Sequence, residues 1–397
     1  MTEQPRVCIL GGGFGGLYTA LALERLPWDG TEKPLVTLVD QRDRFIFLPM
    51  LYEMVTGELQ TWEIAPPYEE LLAPTDIRFL QKSVSTIDVD ANVVNLGDGS
   101  SIAYDYLVLA MGGETPLDTV PGAKDYAIPF HDVSHAYRLQ EKLRQLEQSD
   151  RDKIRVAIAG GGYSGVELAC KLADRLGERG RIRIIDRGSD ILTNSTDFNR
   201  EAAKRALDDR GVWLDFDTEV TEVGAETISL KYEDQVDTIP AELVLWTVGT
   251  RVASAIQALT LPKTDGDRLE VTATLQVTDH PHLFALGDLA ACIDASGERV
   301  PTTAQSAVQA ADYVAWNIWA LTTGKRPLLE FKYQHLGEMM TLGVDEATLT
   351  GLGLTLDGSI AHVARRLAYL YRMPTLDHQI KVGLNWMTQP LRDWLTP

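Results

Sequence analysis

Three cysteines in 397 residues, Cys8, Cys170 and Cys292, are too few and too far apart for a disulfide framework, which points to a reducing compartment. No C-x-x-C pair is present, so a thiol–disulfide acceptor is not expected. Each cysteine reads as a small buried packing residue. Positive charge is also scarce: 37 Lys and Arg stand against 57 Asp and Glu, a formal net charge of −20. That balance argues against nucleic acid as a partner, because phosphate binding needs a basic footprint. No run reaches the roughly 18 apolar residues of a membrane span. The opening MTEQPRVCIL lacks the charged-then-apolar layout of a signal peptide, so a cytoplasmic location is expected. The seven histidines show no metal-ligand spacing and no EF-hand-type calcium loop occurs, so no metal site is expected. The remaining composition is ordinary for a globular chain, at 45% hydrophobic and 24% charged. The length suits two to three domains at about 150 residues each.

One pattern occurs twice. Arg6–Leu10 (RVCIL) leads into Gly11, Gly12, Gly13, Phe14, Gly15 and Gly16, then into the helical spacing of LYTALALERL. From residue 153, KIRVAIA leads into Gly160, Gly161, Gly162, Tyr163, Ser164 and Gly165, then VELACKLADRL. Each copy reads strand, G-x-G-x-x-G, helix, and each is followed by a strand ending in an acid, Asp40 or Asp186. The first glycine (Gly11, Gly160) permits the tight turn. The second (Gly13, Gly162) lets backbone approach a pyrophosphate. The third (Gly16, Gly165) lets the helix pack close to the strand. The helix N-terminus then offers N–H groups and a positive dipole end to the phosphates. The acids are placed to accept from ribose hydroxyls. Phe14, Gly15 and Gln41 complete the first candidate set. Arg187 follows Asp186 and would pair with a 2′-phosphate if it does not simply face solvent, so NADH and NADPH both stay open.

The pattern defines an α/β chain with two Rossmann-like dinucleotide-binding domains. Two such sites imply a flavin and a nicotinamide. Strand-like runs at 104–113 and 241–250 end in small residues, Ala110, Gly112 and Gly249, expected near the cofactors. HLFALGDLAAC places Gly287 and Asp288 at another strand end. The expected layout is discontinuous: residues 1–115 and 266–330 in the first domain, 116–265 in the second, and 331–397 as a C-terminal segment.

That last segment differs in charge. Residues 361–397 hold five Lys and Arg against two Asp, while residues 1–360 carry −23. Two helices are expected, broken at Pro374. Val363, Leu367, Leu370 and Tyr371 form one apolar stripe, and Ile380, Leu384, Met387, Leu391 and Trp394 a second. Pro390 would kink the last turn. Trp386 and Trp394 with basic neighbours suit a helix lying at an anionic membrane surface. A helix packed on its own core or in a homodimer interface is the alternative.

GGGFGGLYTA, FLPMLYEMVTGEL, YDYLVLAMG, GGGYSGVELA, LVLWTVG, LFALGD and PTTAQSAVQAADYVAWN together resemble the type II NAD(P)H:quinone oxidoreductases, of the two-dinucleotide-domain flavoprotein group. The resemblance spans nearly the whole chain. It implies FAD in the first unit, NADH or NADPH in the second, and two-electron reduction of a membrane quinone without proton pumping. It also implies peripheral attachment to the membrane from the cytoplasmic side. It places Asp288 on the flavin's ribityl chain. Glu167 is put between nicotinamide and flavin, and Gln305, beside Ala304, near the quinone. Other members often pair two glutamines where this chain has Gln309 and Ala310, which changes the expected pocket shape. DQRDRF, LQTWEIAPP, GERGRIRII, YQHLGEM, ARRLAYLYR and HQIKVGLNW resemble a cyanobacterial branch of that family. That branch reduces the prenylnaphthoquinone precursor of vitamin K1.

Overall fold

The computed structural model describes residues 4–29, 33–264 and 266–395, with side chains through 388. Five helices carry most of the candidate residues: α1 (Phe14–Arg25), α2 (Tyr163–Leu176), α3 (Ala304–Thr323), α4 (Gly358–Arg372) and α5 (Leu376–Leu395). The chain forms two compact units. The first runs to Phe45 and resumes over Pro66–Glu114 and Thr250–Gln334. The second takes Ile46–Ala65, Thr115–Gly249 and the chain from His335.

In the first unit, Arg6–Leu10 pairs in parallel with Leu35–Asp40 on one side and Tyr106–Leu109 on the other. Arg78–Gln81 and His280–Ala285 extend the parallel core outward, and three short strands between 269 and 292 complete an eight-stranded sheet. Val7, Cys8, Ile9 and Leu10 are all buried, as expected of a central strand covered on both faces. α1 packs against α3. Small buried residues on both helices, Ala20 on α1 and Ala307 and Ala311 on α3, suit that close approach, while Gly15 and Gly16 lie against Leu286 and the Gly11 carbonyl.

The second unit repeats the plan. Its five parallel strands lie in the order 213–215, 180–185, 154–159, 243–246, 127–129. The outer strand differs in origin. In the first unit it comes from far downstream, whereas Ala127–Pro129 precedes the unit's own glycine loop. The polar stretch from 132 forms the helix Val133–Glu147, capped where Asp132 accepts from Ser134 N–H.

The boundaries differ from expectation at three places. Residues 250–265, expected with the second domain, belong to the first unit, where Val252, Ala253 and Ile256 enter its core. The other two differences concern the second unit. Residues 46–65, expected with the first domain, group with the second unit. Residues from His335 on do not stand apart: a three-stranded sheet over 338–357 lies against α2 and leads into α4. Buried ion pairs among Glu53, Glu58, Lys171 and Arg365 account for both. The break at Pro374 falls between α4 and α5. Val363, Leu367 and Tyr371 on α4 and Ile380, Leu384 and Met387 on α5 are exposed, while Leu370 is half-buried. The side chains of Pro390, Leu391 and Trp394 lie outside the described residues. Among the described residues no helix is long and apolar enough to cross a membrane.

Candidate functional site

The first glycine loop is closed on one side and open on the other. Gly11 has φ +95°, and a Cβ there would lie 2.4 Å from the Ala110 carbonyl oxygen. A Cβ on Gly16 would lie 1.8 Å from the Gly11 oxygen, whereas one on Gly13 would meet nothing within 4 Å. Gly11 N–H donates to Val39 O at 2.8 Å. Asp40 accepts from Gly12 N–H at 2.6 Å and Arg42 N–H at 2.8 Å, so both of its oxygens brace the turn. Tyr68 donates its hydroxyl to Gly12 O at 2.8 Å. Phe14, the first residue of α1, stands edge-on to Phe45 with ring centres 5.2 Å apart. Ala110 is buried with its N–H on Leu10 O at 2.9 Å. Gly112 has φ +65° and open space around it. Gln41 is exposed, and its carbonyl accepts from Gln81.

Gly287 has φ +77° and opens a single 3-10 turn that carries Asp288. Burial raises the Asp288 pKa, with Arg268 opposing. No donor among the described residues reaches its carboxylate. Ala304 begins α3, whose N-cap Thr303 accepts from Ser306 N–H at 3.2 Å. This set fits a flavin dinucleotide: a cradle too tight for Cβ atoms, free space at Gly13, a helix N-terminus for phosphate and a half-buried carboxylate lacking hydroxyl donors.

The second loop reproduces the first. Gly160 has φ +108°, and a Cβ on Gly165 would lie 1.9 Å from Gly160 O, while Gly162 is open. Gly160 N–H donates to Ile185 O at 2.8 Å. Asp186 accepts from Gly161 N–H and Gly188 N–H, both at 2.6 Å. Arg187 is exposed, 3.9 Å from Glu219. Gly249, at φ +78°, packs against Pro116. These groups fit a second dinucleotide on the same grounds.

Around α2 the resemblance between the loops ends. Glu167, in the second turn, is 5% exposed. Its Oε1 accepts from Thr341 N–H at 2.9 Å and lies 3.7 Å from Arg365 Nη2. Burial pushes the Glu167 carboxyl up to about 8, against the pull of Arg365. Arg365, fully buried on α4, donates to Glu53 and to Pro49 O at 2.6 Å, and stacks 4.9 Å over the Tyr369 ring. Lys171, one turn beyond Glu167 and fully buried, pairs with Glu58. Arg366 approaches Glu58 at 3.8 Å and covers the Trp386 ring. Glu63 accepts from Trp386 Nε1 at 2.8 Å and Asn385 Nδ2 at 3.1 Å, while His378 bonds the Glu63 carbonyl at 2.8 Å.

These contacts correct the reading of the C-terminal charge. Arg365 and Arg366 turn inward onto glutamates, and Lys381 pairs with Asp377 at 2.8 Å. Trp386 also faces inward, with Nε1 on Glu63 and its ring under Arg366. Helical phase carries the signal: at about 100° per residue, Trp386 lies roughly 240° from Ile380 and Arg365 roughly 200° from Val363. Both therefore fall off the apolar stripes. Sequence reasoning missed Glu53, Arg365 and Tyr333. Glu53 and Arg365 lie in strings that carried the family resemblance, and Tyr333 opens a third such string.

In the first unit, Gln305 Oε1 accepts from Tyr333 Oη at 2.9 Å. Gln309 is held by Gln334, its Nε2 donating to the carbonyl at 2.9 Å and its Oε1 accepting from the N–H at 3.0 Å. Glu58, Asp345 and His362 in the second unit place potential metal-ligand atoms within 4.8 Å of one another. Lys171 and Arg366 already neutralise Glu58 there, which opposes a dication.

A sequence profile of the pyridine nucleotide-disulphide oxidoreductases matches residues 5–311. The chain belongs to that family and, within it, to the FAD-dependent type II NAD(P)H:quinone oxidoreductases. It is 57% identical over 400 residues to demethylphylloquinone reductase NdbB of Synechocystis sp., covering 100% of this chain and 99% of that one. It is 44% identical to the alternative NAD(P)H-ubiquinone oxidoreductase C1 of Arabidopsis thaliana, covering 98% of this chain and 82% of the relative. The NDH2 structure from Plasmodium falciparum in complex with NADH shares the fold, with a TM-score of 0.85 at 17% identity over 98% of both chains.

Proposed function

We propose that the chain reduces a demethylated prenylnaphthoquinone of vitamin K1 formation, working from the cytoplasmic face of a membrane and pumping no proton. The observation that carries this reading is 57% identity over the whole chain to a demethylphylloquinone reductase. The chemistry supplied by the bound cofactors is hydride transfer from nicotinamide to FAD and two-electron reduction of the quinone.

The chain's own residues bind, orient and adjust charge. In this reading the N–H groups at Gly11–Gly16 and the α1 dipole hold the FAD pyrophosphate, Asp40 and Gln41 the adenosine ribose, and Asp288 the ribityl hydroxyls. Ala110, Gly112 and Ala304 line the flavin. Gly160, Gly162 and Gly165 hold the nicotinamide dinucleotide's phosphates, Asp186 and Arg187 flank its ribose, and Gly249 lies beside it. Glu167 is the buried acid next to the nicotinamide. Gln305, oriented by Tyr333, shapes the quinone pocket. The exposed stripes on α4 and α5 dock on the membrane by apolar burial more than by charge, because two of the segment's arginines are turned inward. A second copy of the chain is the other occupant that face would accept.

The Arabidopsis relative is named a ubiquinone oxidoreductase, which supports a benzoquinone acceptor as the second reading. Steady-state kinetics with NADH and NADPH across naphtho- and benzoquinones decides between them. Naphthoquinones are expected to give the higher kcat/KM, and a benzoquinone preference would overturn the acceptor assignment. Gln305→Ala is expected to raise the quinone KM about tenfold, the order of one lost hydrogen bond, while slowing flavin reduction by NADH far less.

A further inference from the structure

Six charged side chains meet in the interior of the second unit. Glu53, Glu58 and Glu167 face Lys171, Arg365 and Arg366. With all six ionised the cluster is neutral, and a proton on Glu167 leaves one positive charge in excess. Glu53 is the arginine's hydrogen-bonded partner, while Glu167 is held at 3.7 Å on the other amino group. Arg365 Nε and Glu53 Oε2 are buried without hydrogen-bond partners among the described residues. A buried guanidinium with a donor to spare, placed between two carboxylates, is an unusual expense for structure alone. Only Oε1 of Glu167 is engaged; no donor among the described residues takes Oε2.

We propose that Arg365 is the positioning residue that sets whether Glu167 is charged, with Glu53 competing for the same guanidinium. This rests on reading Glu167 as the acid beside the nicotinamide. The groups acting on Glu167 are Tyr52 and Glu53 from the 46–65 segment, Arg365 and Tyr369 from α4, and Tyr163, Cys170 and Lys171 from its own helix. The sheet over 338–357 contributes the Thr341 N–H. Arg365 and Lys171 favour the carboxylate, whereas burial and Glu53 favour the acid. Moving Arg365 toward Glu53 therefore leaves the proton on Glu167, and moving it toward Glu167 releases the proton. The lever sits on α4, the helix whose opposite face bears Val363, Leu367 and Tyr371. The docking helix thus reaches the acid's charge directly.

The test uses the full-length flavin-loaded protein and two readouts. One is an infrared pH titration of the protonated-carboxyl band without nucleotide. The other is stopped-flow flavin reduction by NADH across the same pH range. Arg365→Gln is expected to move the Glu167 midpoint up by about one pH unit or more, since an opposite charge at this range shifts a carboxyl by 1–3 units. Glu53→Gln is expected to move it down, and Arg365→Lys to hold it near the wild-type position. A merely structural arginine would not give shifts of opposite sign. An unmoved midpoint, or the same direction in Arg365→Gln and Glu53→Gln, overturns the proposal. If Arg365→Gln does not fold, the downward shift in Glu53→Gln decides. Glu167→Gln must remove the titrating band; if the band persists, the proposal falls. If the band disappears but NADH still reduces the flavin at the wild-type rate, the placement of Glu167 beside the nicotinamide fails while the charge control stands.

Discussion

Phe14-Gly15-Gly16-Leu17-Tyr18 in the first unit and Tyr163-Ser164-Gly165-Val166-Glu167 in the second occupy the same turns of equivalent helices, behind glycine loops braced by the same set of hydrogen bonds. The two helices then diverge in what they pack against. α1 meets α3 through small apolar residues. α2 instead carries Glu167 and Lys171 into a buried cluster of three acids and three bases. The phosphate-holding part of a dinucleotide site is backbone and can be duplicated unchanged. The charge cluster is built from side chains, and among the described residues it belongs to the second unit alone.

The largest effects should come from attacking what the units share. Gly16→Ala drives a Cβ against the Gly11 carbonyl, and Gly165→Ala repeats that clash with Gly160. Overpacking against rigid backbone costs about 1–3 kcal/mol or more. Gly16→Ala is expected to purify with its flavin absorbance lost. Gly165→Ala should keep its flavin and show an NADH KM raised about tenfold or more. Identical losses in the two variants would mean that the loops do not serve separate nucleotides.

A smaller effect tests what the units do not share. The folded carboxyl of Glu167 lies at about 8 against an ordinary value of 4.5. Between those values the unfolded chain releases a proton that the folded chain retains. The wild type therefore loses stability as pH rises through this window and loses no more from this group above it. Glu167→Gln has no such loss. Its unfolding free energy is expected to gain on the wild type by roughly 3 kcal/mol from about pH 5 to about pH 8. Thermal or denaturant melts across pH would show a parallel pair of curves if the acid were not strained. The smallest effect concerns the exposed stripe on α4 of the second unit. Leu367→Glu removes an apolar side chain worth about 1.5–3 kcal/mol when fully buried. Binding to vesicles containing anionic lipid should weaken by roughly tenfold; unchanged cosedimentation would send the docking assignment elsewhere.

The glycine loops were legible in the sequence because their requirements are local. Turn, close approach and helix packing each demand glycine within six residues, and Asp40 and Asp186 end the next strand. The parallel sheets and the break at Pro374 followed from similarly local patterns, and periodicity marked the apolar stripes on α4 and α5 but not the direction they face. The charge cluster was not legible. Glu53 and Arg365 are 312 positions apart and Glu63 and Trp386 are 323 apart, and no local pattern announces such pairs. That Arg365 and Trp386 fall off the apolar stripes was available from helical phase. Their buried acidic partners were not, so the cations read as surface charge. The placement of 46–65 was missed for that reason too: its ties run to α2, to the helix Val133–Glu147 and to the C-terminal helices, all far along the chain.

Those ties also bear on how the chain is made. Glu53 and Glu63 emerge early in synthesis, yet the arginine, histidine, asparagine and tryptophan that satisfy them come from the last forty or so positions. At about 5–20 residues per second the interval is on the order of 15–60 s. Throughout it the second unit cannot close around these two acids. A chain cut before Arg365 stays permanently in that condition, so such truncations would misfold or attract quality control before any question of membrane attachment arose.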